Sequence, residues 1–324
     1  KLMKQVKVGA GTTDAYGTRP SDKEISLGRA DVFRLSAVYE SADSSTDSVS
    51  PTIVVTTVSG TFTRGEKITG STSGATARIT TTSTPLQIVY LTGNKKFNAS
   101  EIIIGESSGA TATTTAVTTG DHLITSNYTL DTGQRDNYYD ISRIIRKPGM
   151  PSPTGRLLII HDYLEHSAGD VLTVDSYSDV ANQMDYVDIP EYSATKVDPD
   201  APSPTGNYQL YNVMDFRPCV ESAAGTSSSV SAVDQITGYS FDFFHRQYDG
   251  TGASANNFLK PGSLVQADYE YYLPKRAVLD IDQNGVFSLT EGDSAETPEN
   301  PEIRNNAMKL AEIFVPAFTF TPKD

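Results

Sequence analysis

The chain has 324 residues, 40 Asp and Glu against 26 Lys and Arg, and a formal charge of −14. Such a surface repels phosphate backbones, which argues against nucleic acid as a partner. The single cysteine, Cys219, excludes an internal disulfide framework and a cysteine-built zinc site, and no apolar run approaches the ~18 residues of a membrane-spanning helix.

The chain is long enough to bury a substantial core. Its start, Lys1-Leu2-Met3-Lys4-Gln5, has no initiating Met and no apolar h-region, so it reads as a piece of a longer polypeptide without a signal peptide. Residues 1–25 are polar and carry Gly9, Gly11, Gly17 and Pro20, which predicts an extended N-terminal arm. Asp31 to Ser41 alternates apolar and polar positions and predicts a strand. A Ser/Asp linker, Ala42 to Ser50, follows.

Residues 51–120 are low in charge, rich in Thr, Ser and Gly, and internally duplicated. Phe62 to Ala77 returns 35 positions later as Phe97 to Ala112, with no gap. Phe62 matches Phe97, Glu66 matches Glu101, Ile68 matches Ile103 and Gly70 matches Gly105. Ser73-Gly-Ala-Thr-Ala77 matches Ser108-Gly-Ala-Thr-Ala112. A period of this size marks a repeated supersecondary unit, and short apolar pieces between Gly and Ser turns make that unit β-like. The abrupt change of composition on either side predicts a tandem β-repeat module inserted into a β-rich core made of 26–50 and 121–324. That core divides into two subdomains near 200–250.

Beyond the module, strands alternate with punctuated turns. Pro151-Ser-Pro-Thr-Gly155 recurs as Pro202-Ser-Pro-Thr-Gly206, a rigid turn leading into a strand each time. Arg156 to Tyr163 and Asp170 to Tyr177 read as a hairpin. Two short helices are expected. Asp136 to Lys147 places Tyr138, Ile141 and Ile145 on one face and stops at Pro148-Gly149. Pro301 to Phe314 carries a stripe of Ile303, Ala307, Leu310, Ala311 and Phe314 behind Asn300 as N-cap. The fold class is therefore mainly β: a multi-part, sandwich- and hairpin-rich core with an inserted duplicated module and one or two short helices.

Three patterns touch on chemistry. Asp280, Asp282, Asn284, Gly285 and Glu291 fit the calcium-loop spacing D-x-[DN]-x-[DN]-G-x5-E. An EF-hand needs a helix on each side, whereas Pro274 lies upstream and Gly- and Pro-rich sequence downstream. Asn284-Gly285 is also the strongest short hairpin signal. The hairpin is the better reading, with a type I′ turn at Asn284-Gly285 and no metal. Gly105-Glu-Ser107-Ser-Gly109 has the form of a nucleophile elbow, but the following residues are Thr-rich rather than helical, and the first copy has Thr72 where the nucleophile would stand. His161 and His166 match no metalloprotease motif and fall on opposite faces of a strand. Gln134-Arg135-Asp136 and Asp215-Phe-Arg217 set Arg beside Asp, as in positioning ion pairs. No cofactor fingerprint is present.

One ordered set of motifs is familiar. Leu130-Asp-Thr-Gly-Gln-Arg-Asp-Asn-Tyr-Tyr-Asp-Ile-Ser-Arg143 leads into Pro153-Thr-Gly-Arg-Leu157 and His161-Asp-Tyr-Leu-Glu-His-Ser167. Tyr177, Ile189-Pro190, Asp215-Phe-Arg-Pro218, Tyr272-Leu-Pro-Lys-Arg276, Asn284-Gly-Val-Phe287 and Leu310-Ala311 ahead of Val315-Pro316 follow. This resembles an uncharacterised structural-protein family of large contractile-tailed bacteriophages, over roughly 121–320 and Ser26 to Ser41. The repeat motif is similar to a module scattered through phage tail proteins. The resemblance implies a virion component of the tail, baseplate or fibre-attachment region, assembled in the host cytoplasm. It implies other tail and baseplate proteins as partners, a dimer or trimer of its own, and no catalytic residues. The residues lean the same way, since abundant Tyr suits broad interfaces. The alternative is a module of a tail fibre or spike that binds host-surface glycan.

Overall fold

A computed structural model describes residues 2–9, 11, 13–30, 32–135, 139–164 and 272–317, with short pieces at 189, 191–193, 207–210, 221–222, 230–233, 241, 243, 246–247, 264, 266 and 268. The chain divides into two compact units, Lys1–Leu259 and Lys260–Asp324. Both are built of β-structure, and the regular elements among the described residues are strands apart from one 3-10 turn at Thr125–Asn127.

The first unit opens with β1 (Leu2–Val8), β2 (Glu24–Ser26) and β3 (Val32–Glu40). The duplicated segment supplies β4 (Thr52–Ser59), β5 (Lys67–Gly70), β6 (Thr76–Thr81), β7 (Leu86–Tyr90), β8 (Ile102–Gly105) and β9 (Thr111–Thr118). Then come β10 (His122–Leu123), β11 (Tyr128–Asp131), β12 (Arg143–Arg146) and β13 (Leu157–Tyr163). Short strands β14 (Glu191–Ser193), β15 (Asn207–Gln209), β16 (Glu221–Ser222), β17 (Val230–Ala232) and β18 (Arg246–Gln247) complete the unit.

Five strands in the order β10-β3-β13-β1-β17 form the main sheet. Its central strand β13, Leu-Leu-Ile-Ile-His-Asp-Tyr, is buried along its whole length, as a near-continuous apolar run requires. One face packs Val6, Val8, Val38, Leu157 and Ile159 against Ile25, Leu27, Tyr128 and Ile144 of the three-stranded sheet β11-β12-β2. The other packs Met3, Ala37, Tyr39, Leu158 and Ile160 against Val89 of the duplicated segment.

Two expectations about this unit are corrected. Residues 2–8 are not an extended arm: β1 pairs with β13 from Leu2↔Tyr163 to Val8↔Leu157, and Met3, Val6 and Val8 belong to the core. The alternation of Met3, Gln5 and Lys7 with Lys4, Val6 and Val8, hidden by the charged residues, is what an interior strand paired on both sides needs. The helix expected over 136–147 is replaced from Arg143 by strand β12, which pairs Ile144 with Leu130 and Ile25; residues 136–138 lie outside those described. Two consecutive β-branched residues favour the strand. The partner expected for Arg156–Tyr163, residues 170–177, also lies outside the described residues.

Strands β4 to β9 close into a six-stranded barrel in the order β4-β7-β6-β5-β8-β9. Phe62, Ile68, Ala77 and Ile79 from the first copy and Phe97, Ile103 and Ala112 from the second fill one interior cluster. The register carries the duplication. Strand β5 pairs with β8 as Ile68↔Gly105, Thr69↔Ile104 and Gly70↔Ile103, so equivalent residues exchange across a pseudo-two-fold axis. The third strand of each copy pairs with the first strand of the other, β6 with β7 and β9 with β4. The barrel leaves and rejoins its host at one point. The Asp121 amide donates to the Val49 carbonyl at 3.0 Å, and β10 pairs His122 with Glu40 at the end of β3.

The second unit holds β19 (Lys275–Asp282), β20 (Phe287–Glu291) and β21 (Ala307–Val315) in one antiparallel sheet, β20-β19-β21. The helix expected over Pro301 to Phe314 is absent: residues 301–306 are irregular and 307–315 are strand β21. Asn306 at φ +64° turns the chain out of any helical path. Pairing with β19 along its length then overrides the helix-forming Met-Lys-Leu-Ala-Glu run.

Candidate functional site

The two faces of the β20-β19-β21 sheet differ in kind. Alternation along β19 sends Ala277, Leu279 and Ile281 to one side. Their cross-strand partners are Leu289 and Phe287 on β20 and Ile313, Ala311 and Met308 on β21. Among the described residues of the three strands, the only charged groups on this side are Lys275 and Glu291, ion-paired with each other at its end. The opposite side carries Arg276, Asp280, Asp282, Lys309 and Glu312, by the same register. There Arg304 pairs with the buried Asp280, Lys309 pairs with Glu312, and Arg276 lies 5.4 Å over the Phe314 ring. On the charged side the unit's own 292–306 connection reaches back through Arg304 over Asp280, which is buried with Val278, while Phe314 on the same side is 53% exposed. The apolar side is open: Phe287 is 64% exposed, Met308 63%, Leu289 50% and Ile313 40%.

The residues of the calcium-loop spacing are divided by this geometry. Asp280 and Glu291 sit on opposite faces of the sheet, Asp280 held by Arg304 and Glu291 by Lys275. The Asp282 carboxylate accepts the Asn284 and Val286 amides at 2.8 and 2.9 Å, which holds it below the usual carboxylate range. The tip is the expected hairpin, with a different turn. Only Gly285 has positive φ, at +79°, and Gly285 donates to the Asp282 carbonyl at 3.0 Å. This is a three-residue loop closed by a left-handed glycine, not the type I′ turn that would need positive φ at Asn284 as well.

In the barrel, the duplication builds a pair of reciprocal locks. Glu101 is buried and accepts the Thr72 and Ser73 amides at 3.2 and 3.0 Å and their hydroxyls at 2.9 and 3.0 Å. Glu66, equally buried, accepts the Ser107 hydroxyl at 3.1 Å and the Ser108 amide at 3.1 Å. Each also caps its own copy, through the Thr63 and Asn98 amides at 2.5 and 2.6 Å. The glutamate of each repeat therefore holds the turn of the other. Burial alone would raise the Glu101 carboxyl, but the Ser73 and Asn98 amides and the Thr72 and Ser73 hydroxyls outweigh it and lower its pKa. Gly70 and Gly105 leave room for the carboxylates: a Cβ on Gly70 would stand 2.7 Å from Glu101 Oε2, and one on Gly105 2.6 Å from Glu66 Oε2. Ser107, the nucleophile of the elbow spacing, is spent on Glu66, and the next element is strand β9.

The motif 130–143 forms an ion-pair node. Arg135 grips Asp131 with two bonds at 3.0 and 2.9 Å, and Arg143 reaches Glu24 at 2.8 Å, Asp131 at 3.1 Å and Asp140 at 3.2 Å. Such bidentate pairing positions backbone segments. Of the histidines, His122 lies exposed on β10, and His161 is fully buried on β13 with no hydrogen-bond partner at either ring nitrogen among the described residues. His166, His245 and Asp215-Phe-Arg217 lie outside those residues. Among the described residues no three His, Cys, Asp or Glu side chains cluster as metal ligands do, and no helix is long and apolar enough to cross a membrane.

Comparison with protein-family models, curated proteins and solved structures finds no match for this chain.

Proposed function

We propose that this chain is a non-enzymatic structural component of a contractile-tailed phage virion, in the tail or baseplate, where it docks neighbouring subunits or anchors fibres. One observation carries the docking part: the apolar side of the β20-β19-β21 sheet stands open in a unit with almost no interior of its own. Among the described residues of that unit only Ala277, Val278 and Pro298 are buried apolar side chains. A three-stranded sheet needs a covered hydrophobic face to be stable, and an open apolar patch of this extent marks an interaction surface. The phage context rests on the ordered motifs from Leu130 to Pro316 and on the repeat motif. The ion-pair node and the glutamate locks add rigidity, which suits a part held in a large assembly.

The reading is tested by mass spectrometry of purified phage particles from a host that expresses the chain, with immunogold labelling for position. Stoichiometric recovery from particles and label at the tail support it. Recovery only from the soluble lysate would contradict it.

A further inference from the structure

We infer that the occupant of the open apolar face is a second copy of this chain, packed face to face through β20, β19 and β21. This deepens the docking reading above and rests on it, but it does not depend on the phage context.

Three observations select this occupant. The first is charge. The chain carries −14, so its surface as a whole attracts basic partners and repels copies of itself. The apolar side of this sheet is the exception: the only charged groups among its described strand residues, Lys275 and Glu291, neutralise each other at one end. A basic partner finds no free carboxylate there, whereas a second copy meets neither like charge nor an unpaired ion to desolvate. The second is shape. The outer strands carry the large side chains, Phe287 and Leu289 on β20 and Met308 and Ile313 on β21. The middle strand presents Ala277, Leu279 and Ile281. Two such sheets, stacked about 10 Å apart and rotated by about 30°, form a six-stranded sandwich in which side chains of the two inner faces interdigitate.

The third is area. The exposed parts of Phe287, Leu289, Met308 and Ile313, with the half-buried Leu279 and Ile281, amount to roughly 500 Å² per copy, given 150–250 Å² for a whole aromatic side chain. Two copies then bury about 1,000 Å², the lower bound for a specific interface. The face is the right size for its own image, and an isologous contact closes as a dimer rather than growing into a fibre.

The test uses the full 324-residue chain. Sedimentation equilibrium across a concentration series should give a reversible dimer, and the double variant Phe287→Glu/Met308→Glu should weaken it at least tenfold. Hydrogen exchange of barrel strands β4–β9 should be unchanged in that variant. Because two carboxylates can also disturb the sheet that carries them, hydroxyl-radical footprinting of the unaltered chain provides a second reading: oxidation of Phe287 and Met308 should fall as concentration rises. A monomer in which both residues stay reactive would mean that a different protein covers the face, and would overturn the inference. A monomer in which both are protected at every concentration would mean the chain covers the face itself, and would overturn it equally. So would a dimer indifferent to the double variant in a folded chain. The tail reading fails separately, by absence of the chain from particles, whatever its oligomeric state.

Discussion

Glu101→Gln removes one charge from the barrel while keeping the shape of the side chain. In the unaltered protein the carboxylate takes bonds from three amides, Thr72, Ser73 and Asn98, and from the hydroxyls of Thr72 and Ser73. Hydrogen bonds to an ionised acceptor contribute about 1.5–3 kcal/mol each, though not additively. Glutamine keeps one acceptor oxygen and turns an NH2 group toward groups that are themselves donors. We expect a loss of about 2 kcal/mol for Glu101→Gln, and about 4 kcal/mol for Glu101→Ala, which leaves three amides without their acceptor. Glu66→Gln should cost somewhat less, because Glu66 takes two amides, Thr63 and Ser108, with the Ser107 and Ser108 hydroxyls, where Glu101 takes three amides. The chain has no Trp, so far-UV circular dichroism in urea provides the global measurement. Hydrogen exchange over 67–81 and 102–118 localises the loss to the barrel. The pH dependence has a definite sign. A carboxyl whose folded pKa lies below its ordinary 4.5 stabilises the fold above that value, and the benefit is lost as pH falls through the lowered folded value. Glu101→Gln should abolish that part of the acid response. A Gln variant within about 0.5 kcal/mol of the parent, with unchanged barrel exchange, would refute the reciprocal lock.

Three further outcomes follow from the same geometry. Complete burial, with the Arg29 and Lys4 charges adding to it, pushes His161 down from 6.5 to about 3, so below pH 6.5 the unfolded chain binds a proton that the folded one does not. On the order of 5 kcal/mol should be lost between those two values, and His161→Phe should flatten that limb of a pH titration of unfolding. Gly285→Val should destabilise the β19–β20 hairpin by about 1–2 kcal/mol, the cost of a left-handed β-branched residue, whereas Asn284→Ala should cost well under that by thermal unfolding. Gly70→Ala and Gly105→Ala should each cost about 1–3 kcal/mol by displacing a carboxylate, with exchange rising at Thr72-Ser73 in the first and at Ser107-Ser108 in the second.

Much of the β-architecture was legible because its signals are local. The period that matches Phe62 to Phe97 and Gly70 to Gly105 fixes two copies of one unit, and left-handed φ values of +59° and +66° at Gly74 and Gly109 agree with it. The reciprocal use of Glu66 and Glu101 was not legible: the motif shows a Glu and a Ser pair in each copy, but not that each Glu serves the other copy's turn. Strand β1 was missed because Lys4, Gln5 and Lys7 mask an alternation that only its interior place in the sheet, between β13 and β17, explains. Residues 307–315 read as a helix because Ala307, Leu310, Ala311 and Phe314 fall at helical spacing. A register shift of β21 between Leu279 and Asp280 permits that same spacing in a strand. That error concealed the open face, since a helix would have gathered into one stripe residues that the strand sorts to two sides. The hairpin tip was found from Asn284-Gly285, yet its turn type depends on the Asp282 carboxylate bonding back to the Asn284 and Val286 amides, which no dipeptide signal encodes.

The most direct test of the account is a cryo-electron-microscopy reconstruction of a particle that contains this chain, at a resolution that traces strands. The account predicts β20, β19 and β21 with Phe287, Leu289, Met308 and Ile313 buried against a neighbouring polypeptide, that neighbour being another copy. A map in which those side chains face solvent in the assembled particle would contradict it.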